Sequence, residues 1–206
     1  MFEFIEKVIY INLEHRTDRR NEIEAELRKV FPNDKIMRFN AIKDNNGNHG
    51  CSKSHIAALK IAIENNWQNV LICEDDAKWN KIVVGHALLE KIIKNHYDVI
   101  CLGSLGGKID MYTYRAEGFQ TATAYVVANH YFRTLLDNFT EGLEKFQQEK
   151  SYHSKTYCLD QYWKNLQKKD AWFRIMPHLM YQRPSYSDIA RKYTDYTSPS
   201  HYNITE

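Results

Sequence analysis

Three consecutive acidic residues, Glu74, Asp75 and Asp76, directly follow a short apolar run. Neighbouring carboxylates repel one another, so a run of three calls for a compensating positive charge, which a divalent cation can supply. Mg²⁺ and Mn²⁺ prefer carboxylate oxygens, retain several waters and complete their shell with substrate phosphates. The triplet therefore indicates a metal site for a phosphorylated ligand, and a solvated acidic turn is the equally simple alternative.

Two further charged residues could take part in such chemistry. Arg16 follows the first apolar run and Asn12, where a basic side chain could meet a phosphate or could simply begin a helix. Asp160 lies near the start of a predicted helix, whose dipole favours an ionised carboxylate. Asp160 could act as a general base if it faces the site, and a plain acid at a helix start is the alternative.

Histidine and cysteine are also clustered, at His49, Cys51 and His55. These residue types bind zinc, but no Cys-x-x-Cys pair accompanies them, so we do not predict a zinc site. We expect His55 instead to hydrogen-bond within the domain or to contact a ligand. The glycine-rich segment Gly103–Gly107 lets a backbone approach a ligand closely, yet it lacks the Walker A lysine and the dinucleotide-binding fingerprint.

The elements that would position these residues alternate between strand and helix. Runs rich in β-branched and aromatic residues predict four strands in the first half of the chain, at 8–13, 35–40, 69–73 and 98–102. Helical spacing fills the intervals, which predicts an α/β fold with a mostly parallel central sheet and helices on both faces. Right-handed crossovers then bring the carboxyl ends of the strands to one edge, where ligands bind in such sheets. That edge would collect Asn12, Asn40, Gly103 and the acidic triplet.

Several boundaries follow from local signals. Gly103–Gly107 should stop the fourth strand, 44–50 should be a turn-rich loop, and Ser52 or Ser54 should cap the helix after that loop. The remaining predicted elements are a helix over 87–96, a strand over 121–127, helices over 129–138 and 159–166, and a strand over 171–175.

Composition sets the broad class. The chain has 206 residues with 43% hydrophobic and 13% aromatic content, which suits one domain with a buried core. We assign 1–182 to that single domain and 183–206 to a polar C-terminal tail or the start of a linker.

A net charge of +2 does not favour a nucleic-acid partner. Four widely spaced cysteines, with no signal peptide and no apolar membrane stretch, predict a cytoplasmic protein with reduced thiols and no membrane span.

An ordered set of segments runs along the chain. They are Val8–Leu13 with Arg16 and 18–20, Gly50-Cys51 with Ser54-His55, 70–77, 121–125, Leu159-Asp160, 177–182 and Ser187-Asp188. Their order and spacing resemble glycosyltransferase family 25, which includes lipooligosaccharide and collagen galactosyltransferases. The compact length is also similar to that of chlorella-virus glycosyltransferase domains of this type. One departure is Cys73, which stands where the family has leucine and should be tolerated as a small buried residue.

The resemblance implies a GT-A fold, a UDP-sugar donor and a Mn²⁺ or Mg²⁺ cofactor, with the acidic triplet in place of the Asp-x-Asp signature. Asp76 would be the main metal ligand in catalysis and Glu74 a second one, while Glu74 or Asp75 could instead reach the ribose or a metal-bound water. Asp160 would be the base near the acceptor. The remaining implied contacts are Asn12, Leu13, Arg16, Ala41 and Asp44 around uridine and phosphate, Ser54 and His55 as the family's Ser–His pair, and Gln182 and Asp188 on the sugar or acceptor side.

The predicted function is therefore transfer of a hexose-type sugar from a UDP-sugar to a hydroxyl group of a glycan or glycoprotein. The metal would assist the departure of UDP. Two alternatives stay open: a catalytically inactive sugar-nucleotide or glycan-binding module of the same fold, and a nucleotidyltransferase that uses the same acids. The three functions give different results in an assay. A glycosyltransferase releases UDP, a binding module binds without turnover, and a nucleotidyltransferase releases pyrophosphate.

Overall fold

The computed structural model describes residues 2–80, 84–149 and 155–197, which are arranged around one six-stranded sheet. The strands of this sheet are β1 Lys7–Asn12, β2 Ile36–Asn40, β3 Asn69–Glu74, β5 Val99–Ile109, β6 Ala116–Ala128 and β7 Trp172–Arg174. Two small sheets consist of β4 Ala77–Trp79 with β8 Met180–Gln182, and β9 Ser185–Ser187 with β10 Lys192–Thr194. The helices are α1 Thr17–Leu27, α2 Gly47–Glu64, α3 Val84–Ile92, α4 Phe132–Gln148, α5 Leu159–Tyr162 and α6 Lys164–Gln167, with 3₁₀ turns at Asn33–Lys35 and Asn129–Tyr131.

The central sheet is mostly parallel, as predicted. Its order is β2-β1-β3-β6-β5-β7, and among these strands β6 runs antiparallel to both of its neighbours. β1 and β3 pair in parallel, so Asn12 and the acidic triplet come to the same edge. Asn40 of β2 lies beside Asn12 in register. The predicted convergence of strand ends at one edge is therefore present.

Helices cover both faces of the sheet, and the alternation along β1 shows why. Ile9 and Ile11 belong to the core packed by α2, α4, α5 and α6, while Val8 and Tyr10 belong to the core packed by α1 and α3. Burial of one large apolar side chain is worth about 1.5–3 kcal/mol, so a strand that is apolar on both faces is stable only between two helical layers. All four cysteines are free thiols.

The fourth predicted strand is longer than expected, because Gly103–Gly107 does not stop it. β5 continues to Ile109 and pairs with β6, with irregular register on both sides of Gly103. A Cβ atom at Gly103 would lie 2.5 Å from the carbonyl oxygen of Met180, so only glycine lets the two backbones pass. The prediction of a strand stop was wrong, and the glycine instead marks a close backbone contact inside a strand.

Helix α2 begins earlier than predicted, at Gly47 inside the expected loop, and neither Ser52 nor Ser54 caps it. The cap is Asn46, whose side chain accepts a hydrogen bond from the Asn48 N–H at 3.0 Å. Other boundaries also differ from the predictions. α3 spans Val84–Ile92, α4 follows a 3₁₀ turn and runs to Gln148, β6 begins at Ala116, and the helix predicted over 159–166 is divided into α5 and α6.

The polar segment after Gln182 folds back onto the domain as far as the structure describes it. β9 and β10 form an antiparallel hairpin. Arg19 of α1 donates hydrogen bonds to the Ser185 hydroxyl and to the Tyr186 carbonyl oxygen, and Arg16 pairs with Asp188 at 2.6 Å. The hairpin therefore lies against the start of α1, next to the acidic triplet.

Candidate functional site

Asp75 is the most firmly held member of the triplet. It is buried, and its two carboxylate oxygens accept hydrogen bonds from Asn12 Nδ2 at 2.8 Å and from Arg19 Nη1 at 2.7 Å. Asn12 is itself oriented by Arg38, which donates to Asn12 Oδ1 at 3.0 Å. Asp75 and Asn12 together fix the carboxyl ends of β3 and β1 relative to each other.

Asp76 is also buried, but one of its oxygens is unsatisfied. Its Oδ2 accepts from Gln182 Nε2 at 3.1 Å and lies 3.3 Å from Arg19 Nη1. Its Oδ1 is buried and has no hydrogen-bond partner among the residues that the structure describes. Burial raises the pKa of Asp76 to about 6, against the opposing effect of Arg19. A buried carboxylate oxygen without a partner is a suitable ligand for a hard cation.

Glu74 reaches toward α2. Its Oε1 lies 4.0 Å from Cys51 Sγ, and its Oε2 lies 3.4 Å from the same Gln182 nitrogen that contacts Asp76. Burial, followed by the charges of the neighbouring carboxylates, raises the pKa of Glu74 to about 8. Both side chains are therefore held closer to their neutral forms than a free carboxyl group, mainly because they are buried.

A cavity of about 600 Å³ opens above the triplet, and all three acids line it. Its volume is within the range of small-molecule sites. Lys43 and Arg191 add positive charge to the wall. Several other residues proposed from the sequence also line the cavity: Leu13, Ala41, Asp44, Ser54, His55, Gln182 and Asp188.

Two of these wall residues hold the loop between β2 and α2 in place. Ser54 Oγ accepts from the Ile42 N–H at 2.9 Å and donates to the Gly50 carbonyl oxygen at 2.7 Å. Asp44 pairs with Lys53 at 2.5 Å and accepts from the Asn46 N–H at 2.9 Å. Because these groups already bond within the protein, they shape the cavity through the loop that they brace.

His55 is buried in the cavity wall, where its Nδ1 lies 2.7 Å from the Tyr125 hydroxyl group. The hydrogen bond within the domain that the sequence predicts is therefore present. Burial lowers the pKa of His55 to about 3, so the imidazole is neutral at neutral pH. Ligand atoms of Cys51, His55 and Glu74 lie within 4.8 Å of one another, which is close enough to share an ion. Burial also raises the pKa of the Cys51 thiol well above its usual value, which opposes the thiolate that a metal would need.

Asn12, Arg16 and Asp160 lie outside the cavity wall. Arg16 forms ion pairs with Asp18 at 2.9 Å and with Asp188 at 2.6 Å, so its guanidinium group serves the hairpin. Asp160 lies in the first turn of α5 and accepts a hydrogen bond from the Thr121 N–H at 3.0 Å. Its charge still contributes to the raised pKa of Glu74, so Asp160 is close to the triplet although it does not line the cavity.

Three residues near the triplet have no role predicted from the sequence: Arg19, which lies in the 18–20 segment of the family resemblance, Arg183 and Tyr196. Arg19 contacts two of the acids, and Arg183 Nη2 donates to the Asp75 carbonyl oxygen at 2.8 Å. Burial and then the charges of the acids raise the pKa of the Tyr196 phenol, which places this side chain near them. Arg19 could have been recognised by its place in the first turn of the helix that follows the first strand. Arg183 and Tyr196 could not, because only the return of the C-terminal segment brings them to the site.

Comparisons with solved structures show the fold. A glycosyltransferase involved in the glycosylation of the major capsid of PBCV-1 matches with a TM-score of 0.54 at 7% identity, over 85% of this chain and 92% of that one. Mannose-1-phosphate geranyltransferase from Thermus thermophilus gives a TM-score of 0.47 at 10% identity, over 87% and 74% of the two chains. A197 from STIV gives 0.46 at 13% identity, over 94% and 97%. No protein-family model and no curated protein sequence matches the chain.

The likeness to the PBCV-1 glycosyltransferase, together with the sheet topology, confirms the predicted fold class: the protein has an α/β fold of the GT-A type. At 7% identity the PBCV-1 glycosyltransferase shares the arrangement of elements with this chain, and it assigns no residue a role. Membership of glycosyltransferase family 25 stays a prediction. Among the described helices, none combines the length and apolar character needed to cross a membrane.

Proposed function

We propose that this protein is a metal-dependent glycosyltransferase that transfers a hexose-type sugar from a UDP-sugar to a hydroxyl group of a glycan or glycoprotein. One observation carries the proposal. The acidic triplet ends a parallel strand at the base of a ligand-sized cavity, where Asp76 Oδ1 is buried without a hydrogen-bond partner among the described residues. Ligands bind at this edge of open α/β sheets. The GT-A fold and the predicted family resemblance both support the same reaction class.

The residues at the triplet fit a hard divalent cation. Asp76 Oδ1 and a Glu74 oxygen are the proposed ligands, since Asp75 is already bonded to Asn12 and Arg19. Carboxylate oxygens suit Mn²⁺ and Mg²⁺, and a bound ion would favour the ionised forms of Glu74 and Asp76, whose pKa values are raised mainly by burial. Such an ion, when bound, supplies Lewis-acid stabilisation of the charge that develops on the leaving diphosphate.

The remaining roles belong to the protein's own residues. Leu13 and Ala41 line the cavity and offer apolar surface for the uracil ring, and Asp44 is proposed to accept a hydrogen bond from the ribose in addition to those it accepts within the loop. Lys43 and Arg191 are the cavity cations proposed to attract the diphosphate, a role that the sequence had suggested for Arg16. Asp160 is the proposed base for the acceptor hydroxyl in an inverting reaction, whereas a retaining reaction needs no base there. We propose that residues 1–182 form the catalytic domain and that the segment after them completes the cavity wall.

The test is UDP release from a panel of UDP-sugars with glycan acceptors, in Mn²⁺ and then in excess EDTA. We expect release that depends on the metal, and a kcat at least about 100-fold lower in Asp76→Asn. The matched control is Asp137→Asn, which makes the same change on the exposed face of α4 and should retain full activity.

Four outcomes would count against the mechanism. Undiminished release in EDTA, or full activity of Asp76→Asn, would remove the metal from it. Nucleotide-sugar binding without turnover on any acceptor would indicate a binding module instead. Pyrophosphate release from a nucleoside triphosphate would indicate a nucleotidyltransferase.

A further inference from the structure

Two histidines and an aspartate meet at the edge of the sheet opposite the acidic triplet. His96 lies in the connection from α3 to β5, Asp98 directly precedes β5, and His130 lies in the 3₁₀ turn after β6. β3 and β5 both run antiparallel to β6, so the start of β5 and the end of β3 are at opposite edges. This His–Asp–His cluster is therefore separate from the proposed active site.

The spacing of the cluster is that of metal ligands. The Nε2 atoms of His130 and His96 lie 2.8 Å and 3.4 Å from the same oxygen, Asp98 Oδ1. Ligand atoms of all three residues lie within 4.8 Å of one another. In a tetrahedral shell with metal–ligand bonds of about 2.1 Å, neighbouring ligand atoms are about 3.4 Å apart. An ion could thus be accommodated if the His130–Asp98 separation opens by about 0.6 Å and the imidazole rings adjust to it.

Asp98 is held in a way that presents Oδ1 to the histidines. Its other oxygen, Oδ2, accepts a hydrogen bond from the Ala171 N–H at 2.7 Å. Its backbone N–H donates to the Ala171 carbonyl oxygen at 2.9 Å, and its carbonyl oxygen accepts from Ala128 at 3.1 Å. Hydrogen bonds of this kind orient the carboxylates that ligate metals.

Charge and ligand type select the class of ion. The rings of His96 and His130 are stacked with centroids 4.9 Å apart, so two imidazolium ions would repel each other there. Within the described parts of the chain, the ion-pair partners of Asp98 are these two histidines. Two neutral imidazoles and one carboxylate carry a single negative charge, which a divalent ion would offset. Imidazole nitrogens favour Zn²⁺, Ni²⁺ or Cu²⁺ over Mg²⁺.

We propose that His96, Asp98 and His130 bind a divalent transition-metal ion, with Zn²⁺ as the representative case. The side chains of His96 and His130 are 71% and 49% exposed, so water completes the shell on the open side. The ion joins the α3–β5 connection, the start of β5 and the β6–α4 connection. The site is independent of sugar transfer, because its ligands and its edge of the sheet are different.

The test is a calorimetric titration of Zn²⁺ into the full chain without a polyhistidine tag, in an Asp76→Asn background that weakens the acidic triplet as a competing site. We expect one equivalent of Zn²⁺ to bind. The double variant His96→Gln/His130→Gln should bind it at least about 10-fold more weakly. Visible absorption of bound Co²⁺, measured on the same proteins, should be lost in parallel. Glutamine at these exposed positions keeps a polar side chain, and the melting temperature checks that the variant is folded.

Two control variants locate the ion. His86→Gln changes a histidine on α3 whose ring contacts Phe2, and it should leave Zn²⁺ binding unchanged. Cys51→Ser tests the Cys51–His55–Glu74 group in the cavity and should also leave binding unchanged. Unaltered Zn²⁺ affinity in the double histidine variant overturns the proposal, as does loss of the ion in Cys51→Ser. In either case the cluster is a hydrogen-bonded group only.

Discussion

Arg19 is the side chain that allows the acidic triplet to lie at the end of β3. Its Nη1 contacts Asp75 at 2.7 Å and Asp76 at 3.3 Å, while its Nη2 donates to Ser185 and Tyr186 in the C-terminal segment. One buried guanidinium group therefore offsets acidic charge and fastens the hairpin to α1. This double role follows from arginine's planar fork of several donors, which lysine does not have.

Replacing Arg19 by glutamine should destabilise the protein and weaken nucleotide binding. Removing one partner of a buried ion pair leaves its acids uncompensated and costs about 3 kcal/mol. The control is Arg20→Gln on the same helix, since Arg20 is exposed and pairs with Glu24, and its loss should destabilise the protein far less than the loss of Arg19. Urea denaturation measures both changes. Equal stability of the two variants would show that Arg19 does not hold the triplet together.

His55 should make stability depend on pH below neutrality. Burial lowers its pKa to about 3 in the folded protein, so the unfolded chain binds a proton first as the pH falls through about 6.5. The contribution of His55 to the free energy of unfolding is present above that pH, and it is lost as the pH decreases toward about 3. Between about pH 7.5 and about pH 5.5 the loss is about 1 kcal/mol, because the folded imidazole stays neutral.

The measurement is the free energy of unfolding of wild type and His55→Gln at those two values of pH. The difference between the two proteins should shrink by about 1 kcal/mol at the lower pH. Lys60→Gln, an exposed change on the same helix, should keep the wild-type dependence. A constant difference between wild type and His55→Gln would mean that another group carries the effect.

At the level of single residues, the sequence could reveal the acids but not their partners. Glu74, Asp75 and Asp76 are conspicuous because carboxylates seldom follow a buried strand three in a row. The sequence favours Arg16 as the phosphate contact, yet Arg16 is paired with Asp18 and Asp188, whereas Arg19 turns inward. Which of several arginines on one helix faces a site depends on the docking of that helix, and local sequence does not specify it.

Among the secondary-structure elements, α2 and the loop before it form one closely packed part of the cavity wall. An added Cβ atom at Gly50 would lie 2.6 Å from the Ile42 carbonyl oxygen, so the helix and the loop are in backbone contact. At Gly47 an added Cβ atom would meet Ile189 of the C-terminal hairpin at 3.0 Å, mainly through a movable side-chain atom. The two glycines thus differ in what a methyl group would displace.

Gly50→Ala should therefore be far more damaging than Gly47→Ala. The first change forces the 41–44 loop away from α2, and overpacking of this kind costs about 1–3 kcal/mol. It should also weaken UDP binding, since that loop contributes Ala41, Lys43 and Asp44 to the cavity. The second change should cost less than about 1 kcal/mol, because Ile189 can adjust. Thermal unfolding and UDP titration of both variants provide the comparison, and equal effects would contradict this packing.

The sequence predicts the elements correctly where apolar periodicity is strong. It fails where a glycine could mark either a turn or a close backbone contact inside an element. β1 and β3 are buried on both faces, so their runs of β-branched residues identify them from sequence. Gly103 suggests a strand stop because glycine usually marks turns, but here it permits contact with Met180 inside β5. The start of α2 was missed for a related reason, since Gly47 and Gly50 weaken the helical signal that Asn46 initiates.

For the whole molecule, the parallel direction of the first strands and the edge that their carboxyl ends share were the part of the fold that sequence patterns constrained best. Alternating strands and helices require a parallel sheet, and the carboxyl ends must then share an edge. The second half of the chain adds the antiparallel strand β6 and returns residues 183–197 to that edge. These contacts join residues more than a hundred positions apart, such as Arg183 with Asp75, and local signals do not encode them.

The proposed cation should connect the stability of the whole molecule to pH and to nucleotide. Glu74 and Asp76 have raised pKa values of about 8 and about 6, so without metal their protonated forms stabilise the fold. This contribution to the free energy of unfolding is complete below the pKa values that the two residues have in the unfolded chain. It is lost as the pH rises through the pKa values that they have in the folded protein. In EDTA, the melting temperature should therefore fall between about pH 6.5 and about pH 8.

With Mn²⁺ and UDP, the melting temperature should instead rise between the same two values of pH. The ion binds the ionised carboxylates, and fewer protons compete with it as the pH rises. Ligand at about 100 times its Kd adds about 2.7 kcal/mol, which for a domain of this size raises the melting temperature by about 5–10 °C. UDP in EDTA should give a much smaller shift, and Asp76→Asn should remove the difference between the two conditions. Differential scanning fluorimetry at both values of pH measures all three effects. A UDP shift of equal size with and without metal would mean that the nucleotide binds through Lys43 and Arg191 alone, and the triplet would then need another role.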